Sequence, residues 1–274
     1  AFKEEVTSWV QKLFIVSEIL EQWVQVQAMW MYLEAVFTSG DIAKQMPQEA
    51  KRFASIDKQW EKMMAKAYEA RNVVQYCYGN DVLKNMLPHL LEQLEVCQKA
   101  LSGYLDQKRA AFPRFYFISD AVLLEVLSHG SEPQAIQAHL SSIFDSIDAV
   151  TFDPVEPASI LAISSSDGQT IELAKPVKAA GNIEEWLNVL LEAMRETVRG
   201  AVQAAALDCE ALDIATFTHK HIAQVSLIGI QFLWTLDAEE AMFRAKNEKG
   251  VMVAAHKKNQ ARLSDLIAIN LKTD

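Results

Sequence analysis

Ten residues near the start of the chain, Val6, Trp9, Leu13, Val16, Leu20, Trp23, Gln27, Trp30, Leu33 and Phe37, follow one another at spacings of three and four. That spacing puts all ten on one stripe of an α-helix. No Gly or Pro occurs before Gly40, so the stretch reads as a rod of roughly 50 Å at 1.5 Å per residue. Three tryptophans on one seam imply large area burial against partner helices, and the lone polar Gln27 reads as a position that fixes register. A rod of this length suits a mechanical or scaffolding element better than a small catalytic domain. An ordinary core helix of an all-α domain would show the same stripe, so the seam gives architecture and not activity.

The chain has 274 residues, enough for one elongated domain or two to three packed subdomains. Nine Gly, seven Pro and 50% hydrophobic residues leave little room for disorder. The net charge of −10, from 26 basic against 36 acidic residues, argues against a nucleic-acid groove, which needs a clustered positive surface. Cys77, Cys97 and Cys209 are odd in number and form no CxxC pair, so a reduced, cytosolic compartment is expected, without a disulfide or structural zinc framework. No initiator Met, charged-then-apolar leader or apolar run near eighteen residues is present, so neither signal peptide nor membrane span is expected. A start in mid-helix suggests an excerpt from a longer protein.

Further along, Ser39-Gly40-Asp41 reads as a helix stop and Met46-Pro47 as a helix start. Phe53, Ile56, Trp60, Met63 and Ala67 repeat the helical spacing, so a second helix is expected antiparallel to the first. Asn72 to Asn80 reads as a break. A third helix from about Asp81 to Ala110 carries Leu83, Leu87, Leu90, Leu94, Cys97, Leu101 and Tyr104 on its inner side, with His89 a surface residue. Phe112 to Ile118 holds four aromatics and a proline before the capping pair Ser119-Asp120, and reads as a short extended segment wedged between bundles. Asp120 to Leu127 and Glu132 to Phe144 are short helices split by His129-Gly130-Ser131.

A different texture begins at Phe152-Asp153-Pro154. Two β-prone runs, Ile160 to Ser164 and Gln169 to Leu173, flank Ser165-Ser166-Asp167-Gly168, the pattern of a hairpin. Gly181-Asn182 then caps a long helix through about Ala206. Within Asp213 to Ala245, the apolar run Ile222 to Leu236 reads as a deeply buried core helix, too short to span a bilayer. A last amphipathic helix is expected from Val253 to Leu271, with Leu263, Leu266, Ile267 and Ile269 as its apolar side. The fold class is therefore mostly α: an elongated arch of long antiparallel helices in bundled subdomains, with one small β-hairpin near 160–173. The expected divisions are 1–111, a helical subdomain; 112–180, a joint of short helices and hairpin; and 181–274, a second helical subdomain.

No candidate chemistry outweighs its structural reading. Neither G-x-x-x-x-G-K-[ST] nor G-x-G-x-x-G occurs, so a phosphate-binding loop is absent. His219 and His221 are two apart, which on a helix points them about 200° from each other and prevents chelation of one metal. The carboxylate pairs Glu184-Glu185, Glu239-Glu240 and Asp145/Asp148 fit helix ends and polar faces. Cys77 has no His or cation beside it in sequence to activate a thiolate. No catalytic, cofactor-binding or metal-ligating residue is assigned.

Several stretches, in order, resemble one family. Gln27 to Phe37 (QAMWMYLEAVF), Asp41-Ile42, Met46-Pro47-Gln48-Glu49, then Phe53 with Ile56-Asp57 and Trp60, are similar to the linker region of dynein heavy chains. Gln98 to Leu101 with Tyr104-Leu105 and Lys108-Arg109, Phe112 to Asp120, Leu123 to Leu127, Gly181 to Leu187, Ala223 to Val225 and Gln231 to Thr235 agree. The wording of Trp30 to Phe53 is most similar to axonemal outer-arm heavy chains of the gamma type.

The resemblance implies a mostly helical lever, N-terminal to a ring of six AAA+ modules, that bends and straightens to produce a minus-end-directed power stroke on microtubules. It implies that this stretch is not itself an enzyme, while the parent chain is a microtubule-dependent ATPase holding ATP and Mg in its AAA+ modules. The implied partners are the ring of the same chain, other dynein heavy, intermediate and light chains, and microtubules, with no nucleic acid or membrane. The implied location is the cytoplasm and cytoskeleton, in the axoneme of a cilium or flagellum. A non-motor helical scaffold or adaptor is the alternative. Within the aromatic segment, Arg114 and Tyr116 are the candidates for contact with another domain.

Overall fold

The computed structural model describes residues 2–38, 41–130 and 132–269. It divides into two compact units, one of Ala1–Asp145 with Ala180–Glu185, the other of Ser146–Ala179 with Trp186–Asp274.

In the first unit, α1 (Lys3–Phe37) packs on α3 (Pro47–Ala70) and α5 (Asp81–Ala111). The ring pairs Phe37–Phe53, Trp30–Trp60 and Trp23–Trp60, with centroids 5.7–5.9 Å apart, run in opposite sequence directions, so α1 and α3 are antiparallel as expected. The seam is rotated from the expected one. Val16, Ile19, Val26, Leu33 and Phe37 are buried and Trp23 and Trp30 partly so, in strict three-four alternation, whereas Leu20 and Gln27 are exposed. Both stripes share Val16, Trp23, Trp30, Leu33 and Phe37, and the packing of α3 and α5 selects the one through Val26. Gln27 therefore sets no register. A bond from Trp30 Nε1 to Asp57 Oδ1, 3.0 Å, supplies the polar pin between α1 and α3. Before Val16 the expected seam is not covered: Val6, Trp9 and Leu13 are exposed.

The helix stop read at Ser39-Gly40 lies outside the described residues, and Asp41 precedes the one-turn α2 (Ile42–Gln45). The break after α3 is more ordered than expected. Arg71 caps α3 in the left-handed region at φ 55°. Asn72 accepts a bond from the Gln75 N–H to start the short α4 (Val73–Cys77), and Asn80 does the same for α5 from Leu83 N–H. The buried side of α5 is Leu83, Leu87, Leu90, Leu94, Cys97, Leu101 and Leu105, with Tyr104 only partly covered.

Phe112 to Ile118 is not an extended segment. Phe112 and Ile118 at its two ends are extended, and Pro113–Phe117 between them winds into a 3₁₀ turn. The reason is local: Pro113 is pre-set for a first helical position, and the turn brings Phe115 onto Phe112, both fully buried, at 5.0 Å. Ser119 caps α6 (Asp120–Ser128), and a second 3₁₀ stretch, Pro133–His139, leads into α7 (Leu140–Ile143).

The second unit opens with a sheet of three antiparallel strands, β1 (Ala149–Phe152), β2 (Ser159–Ser164) and β3 (Thr170–Lys178), in that order. The expected hairpin is β2–β3, and Gly168 at φ 81° turns it. β1 is an addition: four residues are too few for a period to stand out. The long helix after Gly181-Asn182 is α8 (Ile183–Ala211), and the buried Thr197 accepts the Ala174 N–H of β3, 2.9 Å. Next come α9 (Ile214–Lys220), α10 (Ala223–Arg244) and α11 (Val251–Ala268). Ala205 and Cys209 of α8, Phe217 of α9, and Val225 and Leu233 of α10 form one core cluster.

Two expectations fail here. α10 is not deeply buried, since Leu227, Phe232 and Trp234 are exposed while Val225, Ser226, Gly229 and Leu233 are inside. α11 has no buried residue and exposes Leu263 and Ile267. Leu271 lies outside the described residues. Among those described, no helix is long and apolar enough to cross a membrane.

Candidate functional site

The polar groups of the first unit converge at the C-terminal end of α5. Tyr104, Lys108 and Arg109 occupy its last two turns, where cations complement the helix dipole. Lys108 Nζ meets Glu184 Oε1 at 2.5 Å, with side chains only 12% and 9% exposed. Its ammonium also lies 5.3 Å from the Tyr104 ring. Tyr104 donates its hydroxyl to Gln45 Oε1. Burial, and then the Glu184 carboxylate nearby, push the Tyr104 phenol well above its ordinary range, so it remains a neutral donor. One turn on, Arg109 binds Asp120 Oδ1 at 2.6 Å and the Ile118 carbonyl at 3.4 Å, with Tyr116 6.0 Å away. The 3₁₀ turn is thus strapped to α5.

The two residues singled out from sequence part company. Arg114 turns inward: it donates to the Ile143 carbonyl at 3.3 Å and lies 5.0 Å from the Phe144 ring. Tyr116 faces solvent, 64% exposed, beside the exposed Phe117. Lys108 and Glu184 were not recognisable as a pair in sequence, because 76 positions separate them.

In the second unit, His221 lies against Phe217, and its Nε2 meets Asp208 Oδ2 at 2.9 Å. Lys220 reaches the same oxygen at 2.8 Å. A hydrogen bond from Lys220, opposed by partial burial and aided by His221, holds the Asp208 carboxyl below its usual range. His219 is exposed. Among the described residues no three His, Cys, Asp or Glu side chains are grouped to hold a metal ion. Cys77, Cys97 and Cys209 are buried, and burial raises each thiol. A cleft of about 740 Å³ opens between α9, α10 and α11, floored by Phe217, Ile230 and Leu233. Across it Asp237 bonds both Lys258 and Arg262.

This is an arrangement of straps and caps on long helices. The family model described as dynein heavy chain, N-terminal region 2, matches residues 1–205. The chain belongs to the dynein heavy chain family. Dynein axonemal heavy chain 5 of Mus musculus is 48% identical over 273 residues, covering 99% of this chain and 6% of that one. The flagellar outer-arm dynein gamma chain of Chlamydomonas reinhardtii is 46% identical over 274 residues, 100% of this chain and 6% of its own. Human dynein axonemal heavy chain 8 is 45% identical over 269 residues, 97% and 6%. This dynein heavy chain stretch thus spans 6% of the length of these relatives, within their N-terminal region, and the axonemal kind is what it is similar to. Several residues of its dynein-like motifs lie in the core: Phe53, Ile56, Trp60, Phe112, Phe115, Leu123 and Trp186 are all buried.

Proposed function

We propose that this stretch is the mechanical linker of a dynein motor, a lever that bends and straightens over the ring of AAA+ modules of its own heavy chain and so produces the minus-end-directed power stroke on microtubules. The observation that carries this reading is membership of the dynein heavy chain family along the whole length of the stretch. It is supported by α1, α3, α5 and α8, of 35, 24, 31 and 29 residues. Helices of roughly 35–50 Å resist bending between their ends, and flexure concentrates at capped breaks such as Arg71 to Asn80. Residues 1–274 have no phosphate-binding loop, so ATP and Mg are assigned to the AAA+ modules of the parent chain and the residues here transmit movement. In this reading Arg114 positions the 3₁₀ turn, and Tyr116 beside it is the side chain available to another domain.

The parent chain would assemble with other dynein heavy, intermediate and light chains. Its place would be the axoneme of a cilium or flagellum, since relatives at 45–48% identity carry axonemal and flagellar outer-arm names. The test is a heavy chain lacking residues 1–274, compared with one in which they are restored. ATP hydrolysis should persist in the deletion, microtubule gliding should fall at least tenfold, and restoration should recover it. Gliding at full speed without the segment would overturn the lever and leave a helical scaffold as the better account.

A further inference from the structure

The seam of α1 runs one position further than its apolar members. Trp23, Val26, Trp30, Leu33 and Phe37 are preceded, at the same alternation of three and four, by Ile19, Val16, Lys12 and Trp9. Position 12 is therefore a place for an apolar side chain, and it holds a lysine. That side chain is partly buried. Its ammonium lies 5.1 Å from the centre of the Trp9 ring and 5.4 Å from that of Tyr78. Trp9 is one turn away on the same face of α1, whereas Tyr78 follows α4 in the turn Tyr78-Gly79-Asn80 that leads into α5. Among the described residues no carboxylate lies within ion-pairing distance of Lys12.

Two aromatic faces discriminate between a cation and a neutral side chain. The negative ring faces attract an ammonium within about 6 Å, while the lysine stem covers apolar surface beneath. A lysine at one seam position costs stability against a hydrophobe and specifies what it packs on. Here it packs on the outer side of the break between α3 and α5. The inner side of that break is fixed by other means: Tyr76 donates to the Met63 carbonyl at 3.1 Å, its ring meets Trp23 at 5.9 Å, and Cys77 is buried. The outer side is open, with Val73 and Tyr78 exposed, and the tie of Tyr78 to α1 runs through the Lys12 charge.

We propose that Lys12 is a charge-operated latch: its ammonium, between Trp9 and Tyr78, holds the α4–α5 turn onto the N-terminal end of the α1 seam and frees it when the charge is removed. The latch stands on the first unit alone, so it can fail while the lever holds, and the reverse. The test is hydrogen–deuterium exchange of the full-length heavy chain, read on residues 72–83. Lys12→Met keeps the stem and removes the charge. It should speed exchange there roughly threefold or more, since each ring contributes a factor of about two to five at a part-exposed site. Lys12→Arg keeps the charge and should stay within about twofold of the parent. Tyr78→Leu should speed exchange as Lys12→Met does, and the double variant Lys12→Met/Tyr78→Leu should add nothing to the faster single, because both act through one contact. Exchange in Lys12→Met as slow as in the parent, or in Lys12→Arg as fast as in Lys12→Met, would overturn the latch. Effects that multiply in the double variant, or acceleration reaching residues 90–101 of α5 as strongly, would overturn it too.

Discussion

Lys108 on α5 and Glu184 in the first turn of α8 form an ion pair 2.5 Å long from which water is nearly excluded. Neither charge could stay there alone, because an unpaired buried ion keeps its desolvation cost and loses its compensation. Lys108→Met should therefore lower unfolding stability by about 3–5 kcal/mol. The double variant Lys108→Met/Glu184→Leu should recover at least half of that. Urea unfolding of the two variants and the parent decides it; a single variant as stable as the parent would show that the carboxylate is solvated.

The α1 seam can be tested by neighbours. Val26 is fully buried and Gln27 is exposed, so Val26→Ala should cost about 2 kcal/mol through lost burial and a cavity, and Gln27→Ala less than about 0.5 kcal/mol. The reverse order in thermal melts would restore the stripe read from spacing alone.

Gly229 has a packing reason to be glycine. A Cβ there would lie 2.5 Å from Phe217 Cζ, so Gly229→Ala should destabilise by about 1–3 kcal/mol through overpacking, although alanine gains about 1 kcal/mol in intrinsic helix propensity. Adding Phe217→Leu to Gly229→Ala should return part of the loss, which differential scanning of the set would register as a raised midpoint.

Asp237 makes the α10–α11 link acid-sensitive. Burial alone would raise its pKa, but hydrogen bonds and charge from Lys258 and Arg262 outweigh that and lower it. A carboxyl lowered on folding contributes stability above its unfolded pKa of about 3.9 and loses it as pH falls through the lower folded value. The urea midpoint should therefore drop below about pH 4. Arg262→Gln should flatten this slope, and an unchanged slope would assign the acid response elsewhere.

The residues differ in how far sequence alone could place them. Pro47, Asn72, Asn80, Ser119 and Gly168 mark ends and turns because their preferences act within a few bonds. The candidate contact residues were half legible. Composition picked out the aromatic segment, but whether Arg114 turns toward Ile143 and Phe144 depends on elements 29 and 30 residues away. The tie between Lys108 and Glu184 had no sequence signal, since neither charge is unusual on its own helix.

What the sequence settled by itself was the list of long helices, their caps, the hairpin turn and the family, since periodicity, local hydrogen bonding and ordered motifs are written in neighbouring residues. Tertiary structure alone decided that Val26 and not Gln27 enters the seam. It also decided that Pro113 to Phe117 coils into a 3₁₀ turn and that α10 keeps an apolar face uncovered. Each is a choice between faces or conformations of similar local energy. Only the area buried against a distant partner separates them.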